Sequence, residues 1–311
     1  MLRSTLSLFV ASGLFLGSIS ASAQGVEAPS ARCLQDLNDA SRWLDHPLSC
    51  GFVRASLSYA GSPVEQARCL LRRVPPGGDP VDGIAPLPTS LERLVGTPVA
   101  INRRQVEAYL RANGIAADDL GGSLSSPLSR TSEGLPALYF VIHDTSSPEY
   151  DSRPFGPEID QPGSSVNDLS AWREGESSKA HLFVSRLGTS TTAVDYQIAW
   201  RATRTERCVV GVRSRGRFLH NELVQPRRTS GTRYDNDQPP AAAITKAQLD
   251  RLALLYVAAS VRGGRWLIPA FHATIDEGLP GGHDDPQGFD LTQWARSLKR
   301  TIAAINAIPR R

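Results

Sequence analysis

Residues 137–144 read Ala137-Leu138-Tyr139-Phe140-Val141-Ile142-His143-Asp144. The run is apolar and β-prone without alternation, and it is short, which predicts a strand buried on both faces. Such strands occur where helices cover both sides of a sheet, so this stretch points to an α/β fold. It stops on two ionisable residues. Downstream, further strands are expected at about 180–184, 208–212, 218–224 and 266–271, the last delivering His272 at its end. Thr245-Lys246-Ala247-Gln248 is a capping box opening a helix. Leu249, Leu252, Tyr256 and Ala259 form its apolar stripe, and Gly263-Gly264 stops it. Asp290 caps a last helix with Trp294, Leu298, Ile302 and Ile305 at helical spacing, before Pro309. The expected fold class is α/β, a mixed β-sheet flanked by helices, preceded by a small, mostly helical N-terminal segment.

Upstream, residues 24–74 read as helical and compact. Ser62-Pro63-Val64-Glu65 is a second capping box with proline at the first helical position, and Pro75-Pro76-Gly77-Gly78 breaks the helix. An extended, proline-containing stretch follows over 77–101. A short helix over 102–112 is closed by Asn113-Gly114. The Gly-, Ser- and Asp-rich stretch 115–136 reads as a loop or boundary. The expected organisation is a signal peptide at 1–23, an N-terminal region at 24–130 and a main domain at 131–311.

The signal-peptide expectation rests on Arg3, the apolar stretch Leu6 to Ile19 and the small-residue site Ala21-Ser22-Ala23. That stretch is shorter than the ~20 residues a spanning helix needs, so the chain is expected to be exported, to the periplasm or the medium, without a membrane segment. The four cysteines, Cys33, Cys50, Cys69 and Cys208, then favour disulfides of undetermined connectivity. None has C-x-x-C spacing, which argues against a structural zinc cluster.

Composition excludes other classes. With 41% hydrophobic and 21% charged residues the chain is too apolar for disorder. A net charge of +3 without a basic run gives no nucleic-acid surface. The sequence contains no H-E-x-x-H, G-x-S-x-G, P-loop or G-x-G-x-x-G motif.

Two histidines at strand ends, His143 and His272, with the polar cluster Gly281-Gly282-His283-Asp284-Asp285-Pro286, suit a catalytic zinc, which keeps three protein ligands and one open position. Glu222 on a neighbouring strand is placed to accept a proton from water. Each residue also has a plainer reading. A histidine on a strand is commonly a satisfied core or surface group, Asp285-Pro286 a turn, and Glu222 an exposed partner of Arg213, Arg215 or Arg217. His181 reads as structural, His46 and His220 as surface. Tyr196 and Trp200 read equally as cleft walls or core, and Arg201 as a carboxylate-holding residue or a salt-bridge partner.

Taken in order, these segments resemble the zinc N-acetylmuramoyl-L-alanine amidases of the amidase and peptidoglycan-recognition-protein superfamily. Tyr139-Phe140-Val141-Ile142-His143-Asp144-Thr145-Ser146 is similar to that family's opening strand, Ala180-His181-Leu182-Phe183-Val184 to its second, and Asn221-Glu222-Leu223-Val224 to the strand bearing its general base. The segment from His272 to Asp285-Pro286 resembles the family's ligand loop, here longer. The resemblance covers about 137–300. It implies zinc held by His143, His272 and Asp285, with Glu222 as base and His283 stabilising the oxyanion. The longer loop leaves His283 open as the third ligand in place of Asp285. The substrate implied is peptidoglycan and its muropeptides, cut between N-acetylmuramic acid and L-alanine. A peptidoglycan-binding protein without hydrolysis on the same scaffold is the alternative. Arg201 stands where many members have a substrate-side histidine, and nothing in the family accounts for residues 24–130.

Overall fold

The computed structural model describes residues 47–150, 154–172, 179–228 and 238–308. The expected signal peptide, Cys33 and His46 lie outside these residues. A short antiparallel hairpin, β1 (Phe52–Val53) and β2 (Ser58–Tyr59), precedes helix α1 (Pro63–Leu70). The one-turn helix α2 (Thr89–Glu92) and α3 (Arg103–Ala112) follow. Strands β3 (Tyr139–Asp144), β4 (Glu149–Tyr150), β5 (Leu182–Val184), β6 (Ser190–Thr192), β7 (Phe218–Leu223) and β8 (Arg227–Arg228) come next. The chain continues through α4 (Lys246–Gly263), β9 (Ile268–Phe271), the single turn α5 (His272–Ile275) and α6 (Leu291–Asn306).

Five strands form one sheet in the order β6-β5-β7-β3-β9. Strand β6 is antiparallel to β5; the other three pairings are parallel. Every residue of β3 is buried, as its unalternating run predicts, and every residue of β7 is buried as well. On one face Phe140 meets Tyr256 of α4, and Tyr256 meets Trp294 of α6. On the other, Tyr139 stacks on Phe218 and meets Tyr59 of the hairpin edge-to-face. The N-terminal residues therefore close the second face. Leu70, Val106, Ile142 and Trp294 belong to one continuous buried cluster.

The helix ends follow from local chemistry. The Ser62 and Thr245 capping boxes are complete in both directions, and Asn102 forms a third with Gln105. Gly264 ends α4 in the left-handed region, at φ 72°, where a β-carbon is disfavoured. Asp290 accepts from the Gln293 amide at the start of α6.

Three expectations are corrected. The described part of 24–74 is not wholly helical, because the 52–59 hairpin precedes α1. The expected strand at 208–212 is instead a π-helical turn, Thr205–Val209, followed by a 3-10 turn, Gly211–Ser214. Its β-branched residues suggested a strand, but Thr203 and Glu206 bind reciprocally and start a helical turn, and Gly211 at φ 74° breaks extension. His220, expected at the surface, is fully buried on β7, because the 203–209 turn covers that face of the sheet.

Cys50 and Cys69 form a disulfide between the hairpin region and α1. Cys208 is also disulfide-bonded, and no described cysteine is free. No helix among the described residues is long and apolar enough to cross a membrane.

Candidate metal centre and active site

The parallel register assembles the site. His143 on β3 is level with Glu222 on β7, and Ile142 is level with Phe271 on β9, so His272 emerges beside His143. All three sit at the carboxyl ends of adjacent parallel strands, where α/β sheets open to ligands. Asp285 reaches the same point from the loop before α6. Its carboxylate accepts from the Asp144 amide at 3.1 Å, and its carbonyl accepts from the Ala273 amide at 2.8 Å.

His143, His272 and Asp285 can hold a metal ion, with one donor atom from each lying within 4.8 Å of the others. The two Nδ1 atoms are 2.9 Å apart; Asp285 Oδ1 is 2.9 Å from His272 Nδ1 and Oδ2 3.5 Å from His143 Nδ1. Zn–N bonds of about 2.0–2.1 Å at tetrahedral angles put donor atoms about 3.3 Å apart, so these spacings fit a zinc-sized ion. The hydrogen bonding agrees. Asp285 Oδ1 is buried yet lies off any hydrogen-bond line, its short approach to His272 included. Such an atom is costly unless something else satisfies it.

Glu222 flanks this group, its Oε1 3.9 Å from His143 Nδ1 and its buried Oε2 without a hydrogen-bond partner. His283 stands at the rim. Its side chain is 60% exposed, its ring stacks on His272 at 4.8 Å, and its Nδ1 is 3.6 Å from Asp285 Oδ1. The structure thus brings together all five residues expected from the sequence, with His283 outermost.

Burial, reinforced by the neighbouring His272, pushes His143 down to about 3. Burial also opposes a charge on His272, but Asp285 and Asp276 outweigh it and hold that imidazole well above its ordinary pKa. Burial raises Asp285 as well, and His272 with His143 overturns it, leaving the carboxylate well below its usual range. Glu222 goes the other way: burial, with the Asp285 charge beside it, pushes it well above the glutamate range.

No protein-family model matches this chain, and no curated protein does. Among solved structures, a crystal structure of a selenomethionine AmpD derivative aligns with 58% of this chain and 98% of its own, at 17% identity and a TM-score of 0.31. At that TM-score the overlay bears no weight for fold or chemistry.

Several residues around the site are not apparent from sequence. Asp144, next to His143, accepts from Arg227 Nη2 at 2.8 and 2.9 Å and from the Gln287 amide at 2.8 Å, tying β3 to the Asp285 loop. Asp276 accepts from His272 Nε2 at 2.8 Å; its spacing of four residues from His272, across a helical turn, is the local signal. His220 and Glu206 stand behind His143, and the T-x-x-E pattern at 203–206 is their only sequence trace. Among the residues weighed for a cleft, Tyr196 is core, hydrogen-bonded to Asn221. Trp200 is half-buried, with the Arg201 guanidinium 4.0 Å over its ring. His181 is a buried structural group, accepting from the His220 amide through Nδ1 at 3.0 Å.

Proposed function

We propose that this protein is an exported zinc-dependent N-acetylmuramoyl-L-alanine amidase, which hydrolyses the amide between the lactyl group of N-acetylmuramic acid and L-alanine of the peptidoglycan stem peptide. The observation that carries this reading is the placement of Glu222, a buried carboxylate without a hydrogen-bond partner, beside His143, His272 and Asp285. Two imidazoles and one carboxylate are the donor set of a hydrolytic zinc with an open fourth position. The amide substrate comes from the ordered resemblance of the strand and loop motifs.

His143, His272 and Asp285 would hold the ion. When bound, zinc polarises a carbonyl and lowers the pKa of water towards about 7. Glu222 takes the proton from the attacking water and hands it to the leaving amine. Burial and then the Asp285 charge raise its pKa, and a cation among its neighbours opposes both, which favours the ionised base the step requires. His283, at the rim, donates a hydrogen bond to the developing oxyanion. The region before residue 131 completes the core around the main domain.

The test is mass spectrometry of muropeptides incubated with the protein, with chelator and with restored zinc. Release of intact stem peptides beginning at L-alanine, abolished by chelation and restored by zinc, is the expected result. Glu222→Gln should keep zinc and lose about 10²–10⁴-fold in turnover; His272→Ala should lose both. Unchanged muropeptides with zinc bound would overturn the amidase reading in favour of a binding protein.

A further inference from the structure

We propose that the buried turn 203–208 is the positioning element of the metal centre, fixing the orientation and tautomer of both histidine ligands from behind through Glu206, His220 and Asp276. The inference rests on the metal-site reading above, not on the bond that is cleaved.

Two buried carboxylates lie on the far side of the histidines. Behind His272, Asp276 Oδ2 accepts from Nε2 at 2.8 Å. That carboxylate is itself held by the turn, accepting from the Arg204 amide at 2.7 Å and the Thr205 amide at 2.9 Å. Behind His143 the connection has one more member. His143 Nε2 is 3.1 Å from His220 Nδ1, and His220 Nε2 is 3.0 Å from Glu206 Oε2, an ion-pair contact off the hydrogen-bond line. The same Glu206 oxygen accepts from the Ala202 amide, the Thr203 amide and the Thr203 hydroxyl at 3.0–3.2 Å. Glu206 and His220 are both fully buried, so neither exchanges its partners for solvent.

The proton count follows. A carboxylate only accepts, so the nitrogen facing it carries hydrogen. His220 is then Nε2–H, leaving Nδ1 to accept. His143 donates Nε2–H to it, which leaves the His143 Nδ1 lone pair facing Asp285 and His272. Asp276 sets Nε2–H on His272 in the same way. Both Nδ1 atoms are thereby aimed at one point, 2.9 Å apart, where an ion would take a lone pair from each. Metal-binding histidines generally need such outer partners, and removing one typically weakens metal binding about 10–100-fold.

The turn also grips the third ligand's loop. Arg204 Nε donates to the Gly281 carbonyl at 3.1 Å, and a β-carbon at Gly281 would lie 2.8 Å from the Arg204 guanidinium. Gly281, at φ 63°, is held where only glycine fits closely. All three ligand arms thus meet one short turn, anchored further by the disulfide at Cys208.

The test uses the full chain with zinc affinity read by chelator competition, and ¹⁵N NMR of the imidazoles in the metal-free protein at mildly alkaline pH. The spectra should show His143 and His220 as Nε2–H tautomers. Glu206→Leu and His220→Phe should each weaken zinc binding about 10–100-fold, and the double variant no further, because the two act in series. Glu206→Gln keeps an acceptor oxygen and should recover most of the loss. Zinc affinity within about twofold of wild type in a folded Glu206→Leu protein, additive losses, or Nδ1–H tautomers would overturn the proposal. If Glu206→Leu fails to fold, Glu206→Gln and the wild-type spectra still decide it. A wild-type protein that binds no zinc would overturn this proposal together with the proposed function, whereas one that binds zinc and responds as above but leaves muropeptides unchanged would defeat the proposed function alone.

Discussion

Removing Arg227 and removing Asp144 should destabilise the protein by different amounts, although the two form one buried ion pair. Arg227 is fully buried and Asp144 nearly so. Breaking a buried pair from one side costs about 3–5 kcal/mol, since the other charge stays behind. What stays behind differs. After Arg227→Met, Asp144 still accepts from the Ser146 amide at 2.9 Å, the Ser146 hydroxyl at 3.0 Å and the Gln287 amide at 2.8 Å. Burial already pushes its carboxyl above the usual range despite Arg227, and loss of the guanidinium pushes it further the same way, towards the neutral form that burial penalises less. The expected cost is therefore near the lower end, about 3 kcal/mol. After Asp144→Asn, the guanidinium cannot neutralise itself, its Nε and Nη1 have no hydrogen-bond partners, and Asp284 is 4.0 Å away. That cost should be near the upper end, about 5 kcal/mol. At roughly 2 °C per kcal/mol for a chain of this size, Tm should fall by about 6 °C and about 10 °C respectively. Calorimetry with matched urea titrations measures both. A cost below about 1 kcal/mol for either variant, or Arg227→Met costing more than Asp144→Asn, would refute the assignment of this pair.

Replacing Cys50 and Cys69 with serine should lower stability by about 3 kcal/mol, the loop-closure entropy for residues 19 apart; a urea titration of the variant checks it, and a change within about 0.5 kcal/mol would mean the unfolded chain is not the main target. Glu277 accepts from Arg72 Nη1 at 2.9 Å and also contacts Ser49; burial opposes its charge, but Arg72 and Ser49 outweigh it and depress its pKa. A carboxylate with a depressed folded pKa contributes stability that is fully present above its unfolded value, about 4.3, and is lost as pH falls through the folded one. The stability gap between wild type and Glu277→Gln, below about 1 kcal/mol for this partly exposed pair, should accordingly narrow on acidification; a gap that widens below pH of about 4 would contradict the pairing.

How much of this was legible in the chain depended on the range of the interaction. The capping boxes at Ser62 and Thr245, the stop at Gly264 and the buried run Tyr139–Ile142 are set by contacts within a few residues, and each appears where the sequence places it. His143 and His272 could be picked out because each ends a predicted strand, and Glu222 because it lies on a neighbouring one, but only the parallel register puts His143 level with Glu222 and next to His272. Asp285 carried no local mark beyond a turn; its place comes from the Asp144 and Ala273 amides, far away in sequence. The 208–212 segment misled because β-branched side chains favour a strand in isolation, whereas the reciprocal Thr203–Glu206 bonds start a turn instead. His220 shows the limit most clearly. On its strand it is one more polar residue, and its burial follows from the turn that covers it and brings Glu206 within 3.0 Å. Local hydrogen bonds and hydrophobic period are written in neighbouring residues, while the aim of an imidazole depends on partners that meet only when the whole sheet is covered.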